Sequence, residues 1–93
     1  MDLRVDCINK QPRQNTHEAI QYLGGPHPNG GRWRGSLAEV IAWIRQGHTF
    51  YTVDAYGRRA ELRINRSASG NEYVQTVADN TWTNNLLALP ECV

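Results

Sequence analysis

The sequence predicts an α+β domain, an antiparallel meander of four or five strands with one main helix packed on one face. Three observations carry this. A helix with both ends marked occupies Leu37 to Gln46, two extended runs follow it around a short turn, and a third run comes after a Ser/Gly/Asn loop. The 93 residues leave room for one core and no second domain. Surface scaling gives a chain of this size roughly 5,500 Å² of exposed surface when folded, against about 15,000 Å² unfolded.

The helix rests on local chemistry. Ser36 stands at the N-cap with Glu39 three residues on, which makes a capping box. Leu37, Val40, Ile41 and Ile44 repeat at helical spacing and form one apolar stripe, and Gly47 supplies the left-handed stop. Trp43 falls about a hundred degrees from the middle of that stripe, on its shoulder, half exposed.

The strands rest on alternation. Thr49 to Ala55 and Arg58 to Arg66 are joined by Tyr56-Gly57, read as a two-residue turn. Pairing Ala55 with Arg58 sets Val53 opposite Ala60, Tyr51 opposite Leu62 and Thr49 opposite Ile64 on an apolar face. The other face then carries Asp54 opposite Arg59, Thr52 opposite Glu61, and Phe50 opposite Arg63 with a cation–π contact. Glu72 to Ala78 continues the meander, with Tyr73 and Val77 competing against Val74, Thr76 and Ala78 for the core. Leu3, Val5 and Cys7 alternate with Arg4, Asp6 and Ile8 as an opening strand. Between them, residues 16 to 23 read either as extended or as a short helix capped by Asn15 and Glu18. Arg32-Trp33-Arg34 reads as extended, with both arginines on one face and Trp33 on the other. The tail from Thr81 to Val93 reads as an irregular apolar segment laid over the sheet.

Composition restricts function. A net charge of +1 argues against a long phosphate backbone or an anionic membrane as the main partner. No run approaches the roughly 18 apolar residues of a membrane span, and the N-terminus lacks an export run. Cytoplasmic residence follows as the expectation, and with it two reduced, buried thiols at Cys7 and Cys92 in preference to a disulfide. No metal is expected, because Cys7, Cys92, His17, His27 and His48 show no short ligand spacing. No phosphate loop, nucleophile elbow or acidic metal cluster occurs, so the chain is expected to be neither an enzyme nor dependent on a cofactor.

Nine of the ten basic residues are Arg, whose planar fork suits phosphate and whose face stacks on rings. The candidate ligand-binding residues are Arg32, Arg34, Trp43, Tyr56, Arg58, Arg59, Arg63 and Trp82. Such a set suits a nucleotide-like ligand or a short single-stranded nucleic acid. Against it stands a plainer reading, in which these arginines only pair with neighbouring acids on a solvated face.

Several short segments together resemble one family: Ile8-Asn9-Lys10, His17-Glu18-Ala19-Ile20 leading to Gly24-Gly25, Trp33-Arg34, Phe50-Tyr51, Gly57-Arg58 and Tyr73. Asn84-Asn85-Leu86-Leu87 and Leu89-Pro90-Glu91-Cys92 complete the match. The chain resembles domain of unknown function 3892, found in small bacterial and phage proteins, and departs from it at Asn80-Thr81-Trp82. The resemblance implies a free-standing small domain and transfers no site residue. The expected function is a non-catalytic binding domain, oligomeric with itself, for a nucleotide-like ligand. The alternative is a protein-interaction module that pairs through a sheet edge. Small phage proteins of this size sequester a nucleotide signal or block a host immune complex, an analogy that covers both readings.

Overall fold

The computed structural model describes residues 1–10 and 19–92. Its strands are β1 (Asp2–Arg4), β2 (Cys7–Lys10), β3 (Ile20–Pro26), β4 (Arg32–Ser36), β5 (Thr49–Val53), β6 (Arg59–Arg66), β7 (Glu72–Ala78) and β8 (Thr81–Thr83). Helix α1 (Leu37–Arg45) lies between β4 and β5, and a 3-10 turn at Asn85–Ala88 follows β8. The α+β class holds, with a correction to the architecture. Among the described residues there are two sheets, a five-stranded one in the order β1-β5-β6-β7-β8 and a three-stranded one in the order β2-β3-β4. The only parallel pairing within the sheets, among the described residues, is β1 with β5.

The division starts in the opening strand. Val5 donates its N–H to the Tyr51 carbonyl at 2.8 Å, and the next residue, Asp6, donates to the Gly24 carbonyl at 3.0 Å. One extended run thus serves both sheets, and Leu3, Val5, Cys7 and Ile8 are all buried. A single strand with one wet face would bury only every second residue.

Helix α1 forms as its ends dictate. Ser36 Oγ accepts from Glu39 N–H at 3.2 Å, and Glu39 Oε1 accepts from Ser36 N–H at 3.0 Å, so the capping box is complete. Gln46 is the C-cap, and Gly47 follows in the left-handed region at φ 102°. Val40 and Ile41 are buried, while Leu37, Trp43 and Ile44 pack against the core from its edge. The core sits where α1 meets the inner faces of both sheets, around Phe50, Trp33, Leu62, Val74 and Leu86.

The β5–β6 hairpin has a longer turn than predicted. Gly57, at φ 78°, donates to the Asp54 carbonyl at 3.0 Å, and Asp54 N–H donates to the Arg58 carbonyl at 3.0 Å. The Asp54 carboxylate accepts from Tyr56 N–H and Arg58 N–H, both at 2.9 Å, which holds the wider loop shut. The ladder is therefore Val53↔Arg59, Thr52↔Ala60 and Tyr51↔Glu61, one residue out of the expected register. Because side chains alternate, that single step turns β5 over. Ala60 and Leu62 face inward as expected, but their companions are Phe50 and Thr52, and Tyr51 faces out. Phe50 decides the matter: it is 1% exposed and lies 5.1 Å from the Trp33 ring and 6.3 Å from that of Trp43. Burying a phenyl ring contributes about 2 to 3 kcal/mol, more than the surface charge pairs of the predicted register could offer.

Elsewhere the predictions meet mixed outcomes. Val74 and Thr76 take the core side of β7. Trp33 is buried, with Arg32 and Arg34 outside, as alternation required. Thr81–Thr83, expected to be irregular, pairs with β7 as β8, while Leu86 in the following turn is fully buried. The extended reading holds for residues 20–23, within a strand that runs on to Pro26, and residues 16–18, with His17 and the Asn15/Glu18 cap, lie outside the described residues.

The cysteines are a further correction. Cys7 and Cys92, expected as free thiols, form a disulfide with a Cα–Cα distance of 4.9 Å across a sequence separation of 85. The tail reaches Cys7 by running beside β2, where Ile8 N–H donates to the Pro90 carbonyl at 3.0 Å and Cys92 N–H donates to the Ile8 carbonyl at 3.2 Å. Gly24 makes the space: a Cβ there would stand 3.2 Å from Cys7 Sγ and 3.3 Å from Cys92 Sγ. The thiol argument for a cytoplasmic setting is thereby lost.

Candidate functional site

The outer face of the five-stranded sheet carries a row of directly opposed residues, Arg4, Tyr51, Glu61, Val77 and Trp82, one from each strand. Arg63 stands two residues beyond Glu61 on the same face of β6. Here the sheet opens. The chain leaves α1 through Gly47 and His48, with His48 N–H still bonded to the Trp43 carbonyl at 3.0 Å. The β5–β6 ladder ends at Tyr51↔Glu61 while β6 runs on to Arg66.

The result is a cleft of about 570 Å³. It is lined by Ile44 and Gly47 to Phe50 where the chain passes from α1 into β5, by Glu61 to Ile64 of β6, and by Trp82 of β8, with Phe50 and Leu62 themselves buried. Trp82 is 46% exposed, so a large part of its ring surface is available. Arg63 has no carboxylate partner among the described residues, whereas Glu61 lies 3.7 Å from Arg59. The cleft therefore combines an uncommitted guanidinium, an open indole and an imidazole.

The other predicted residues are dispersed. Arg32 makes two hydrogen bonds to Asp6, at 3.1 and 2.6 Å, and these raise its pKa above the ordinary arginine value. Arg34 lies over the Tyr22 ring, 4.5 Å from its centroid, on the same outer face of the three-stranded sheet as Arg32. Trp43 joins an aromatic cluster away from that cleft, stacking on Phe50 and meeting Trp33 edge-on at 6.4 Å. Tyr56 is 84% exposed at the hairpin tip, and Arg58 is held to Asp54 Oδ2 at 2.8 Å with its guanidinium 5.2 Å from the Tyr56 centroid. Arg59 is bound to Asp2 at 2.8 and 2.9 Å and covers the Tyr51 ring at 3.9 Å, which replaces the expected Arg63–Phe50 contact.

The carboxylates that hold Arg59 and Arg58, Asp2 and Asp54, are lowered below the usual carboxylate value. Asp2 is lowered chiefly by the Thr49 hydroxyl, then by Arg59, and Asp54 chiefly by the Arg58 backbone N–H, then by the Arg58 guanidinium and Tyr56 N–H. Arg58, through Nε, and Arg59, through Nη2, thus each already pair with a carboxylate of the protein itself. Of the eight candidates, the cleft brings together Arg63 and Trp82. His48 and Thr49 were not predicted there, and no local signal marks them, because their position depends on where the ladder stops. Among the described residues no three His, Cys, Asp or Glu side chains cluster as a metal site would require. Among the described residues no helix is long and apolar enough to cross a membrane.

Comparison with known proteins adds one finding. The model of the family described as Protein of unknown function (DUF3892) matches residues 4–90. No curated protein and no solved structure matches the chain.

Proposed function

The chain belongs to that family, and on its geometry we propose a non-catalytic binding domain that takes a phosphorylated, base-containing ligand in the Arg63–Trp82 cleft. One observation carries the reading: the only arginine of the outer-face row and hairpin that combines a cleft position with no carboxylate partner, among the described residues, sits with a half-open tryptophan. A base would stack on Trp82 while Arg63 meets the phosphate, and the volume lies within the usual range for small ligands. A charge-assisted contact contributes about 1.5 to 3 kcal/mol and stacking about 1 to 3, together enough at the upper end for a Kd of tens of micromolar. A cytoplasmic setting, where free nucleotides are abundant, belongs to this reading. Calorimetric titration with mono-, di- and cyclic nucleotides and short single-stranded oligonucleotides tests it, with Arg63→Ala and Trp82→Ala as controls. Absence of binding below millimolar concentration by every one of these ligands would sink it.

A second reading has its own support. Beyond Glu61, β6 has no strand paired on its β5 side among the described residues, so its edge can receive another chain. A second copy in that place would make the domain a homo-oligomer, and native mass spectrometry of the purified chain distinguishes this from a monomer retaining a small ligand.

A further inference from the structure

The disulfide lies in an unusual setting for a purely structural bond. Cys7, Gly24 and Arg34 are directly opposed across β2, β3 and β4, and the missing side chain of Gly24 leaves the recess that Cys92 enters from the tail. The recess, about 160 Å³, is lined by both sulfur-bearing residues, Gly24, Arg32, Trp33 and Arg34. Cys7 is 6% exposed, whereas Cys92 is only partly buried. Arg32 Nη2 reaches Cys7 Sγ at 3.6 Å, while the Arg34 guanidinium lies over an aromatic ring and bonds to no carboxylate among the described residues.

These positions divide the labour of an exchange reaction. Cys92 is the more exposed of the two residues, so attack falls on its side, and the sulfur that leaves is that of Cys7, where a cation is already in contact. A lower pKa makes a thiol a better leaving group, and a neighbouring arginine lowers it. We propose that the Cys7–Cys92 disulfide is a site of thiol–disulfide exchange with an anionic low-molecular-weight thiol, Arg34 drawing in its carboxylate and Arg32 receiving the departing Cys7 thiolate. The external thiolate forms a bond to Cys92 Sγ, the Cys7–Cys92 bond breaks, and its electron pair leaves on Cys7. The products are a mixed disulfide on Cys92 and a free Cys7 thiolate, with no net oxidant consumed. The tail is then held beside β2 by its hydrogen bonds, including Asn9 Nδ2 to the Cys92 carbonyl at 3.3 Å, and by the packing of Leu86 and Leu89 at the core.

The full chain in its disulfide form is incubated with glutathione or with cysteamine at equal thiolate concentration, quenched in acid and followed by intact mass and peptide mapping. The adduct should appear on Cys92, and the anionic thiol should react about tenfold faster than the cationic one, the effect of one charge-assisted contact. Arg34→Gln should abolish that preference, and Arg32→Gln should slow both thiols alike. An adduct on Cys7, equal rates for the two thiols, or a preference that survives Arg34→Gln overturns the proposal. So does a chain whose two thiols stay free in oxidised glutathione. Should loss of the Asp6 contact unfold the Arg32 variant, the Arg34 variant decides alone.

Discussion

The two ends of the β5–β6 hairpin carry similar residue types and reach opposite states. At the turn, Arg58 and Arg59 stand beside Tyr56 and Tyr51, but Asp54 and Asp2 already hold both guanidiniums. At the open end, Arg63 stands near Trp82 and no acid answers it among the described residues. The lesson concerns how an arginine-rich surface is read. A guanidinium already paired with a carboxylate has part of its charge offset, so a phosphate gains less from it. An unpaired one at the wall of a cleft gives up only water.

The largest effect tests the register on which the comparison depends. Phe50→Ala should destabilise the fold by about 3 to 5 kcal/mol, as expected for a fully buried ring. Tyr51→Ala, on the outer face with its Arg59 contact, should cost about 1 kcal/mol. Chemical denaturation of the two variants settles the facing of β5, since the reverse order of losses would restore the predicted register. Next comes the ligand contrast: Arg63→Ala or Trp82→Ala should weaken nucleotide binding about tenfold or more, while a Tyr56→Ala/Arg58→Ala double variant leaves calorimetric affinity within about twofold.

Smaller effects sharpen the picture at the hairpin's inner face and at its turn. Thr52 is buried and its hydroxyl lacks a hydrogen-bond partner among the described residues, so Thr52→Val should raise stability by about 1 kcal/mol. A lower melting temperature for that variant would reveal a partner for the hydroxyl. The smallest effect is a pH dependence. Folding lowers the Asp54 pKa below its unfolded value, so this carboxylate's contribution is complete above about pH 4 and is lost as pH falls through the lowered folded value. The difference in melting temperature between the wild type and Asp54→Asn should therefore shrink on acidification, and a difference that stays constant to low pH would remove Asp54 from the turn's support.

What could be read without the structure is what neighbouring residues decide among themselves. The α1 capping box, its apolar stripe and its Gly47 stop all lie within a dozen positions, and the alternation of Arg32, Trp33 and Arg34 needs only strand geometry. The α+β class and the inward set Ala60 and Leu62 follow from the same short-range rules. Tertiary structure decided the rest. The facing of β5 depended on the Asp54 side chain widening the turn and on Trp33 and Trp43 waiting for Phe50. The opening strand divided because Val5 and Asp6 found partners in different sheets, and Cys7 met Cys92 only because Gly24 left space for both sulfurs. The cleft exists because the β5–β6 ladder ends at Tyr51↔Glu61 while β6 runs on. Local hydrogen bonding and periodicity are written in adjacent side chains, whereas these outcomes follow from which distant surfaces bury the most apolar area once the chain has closed on itself.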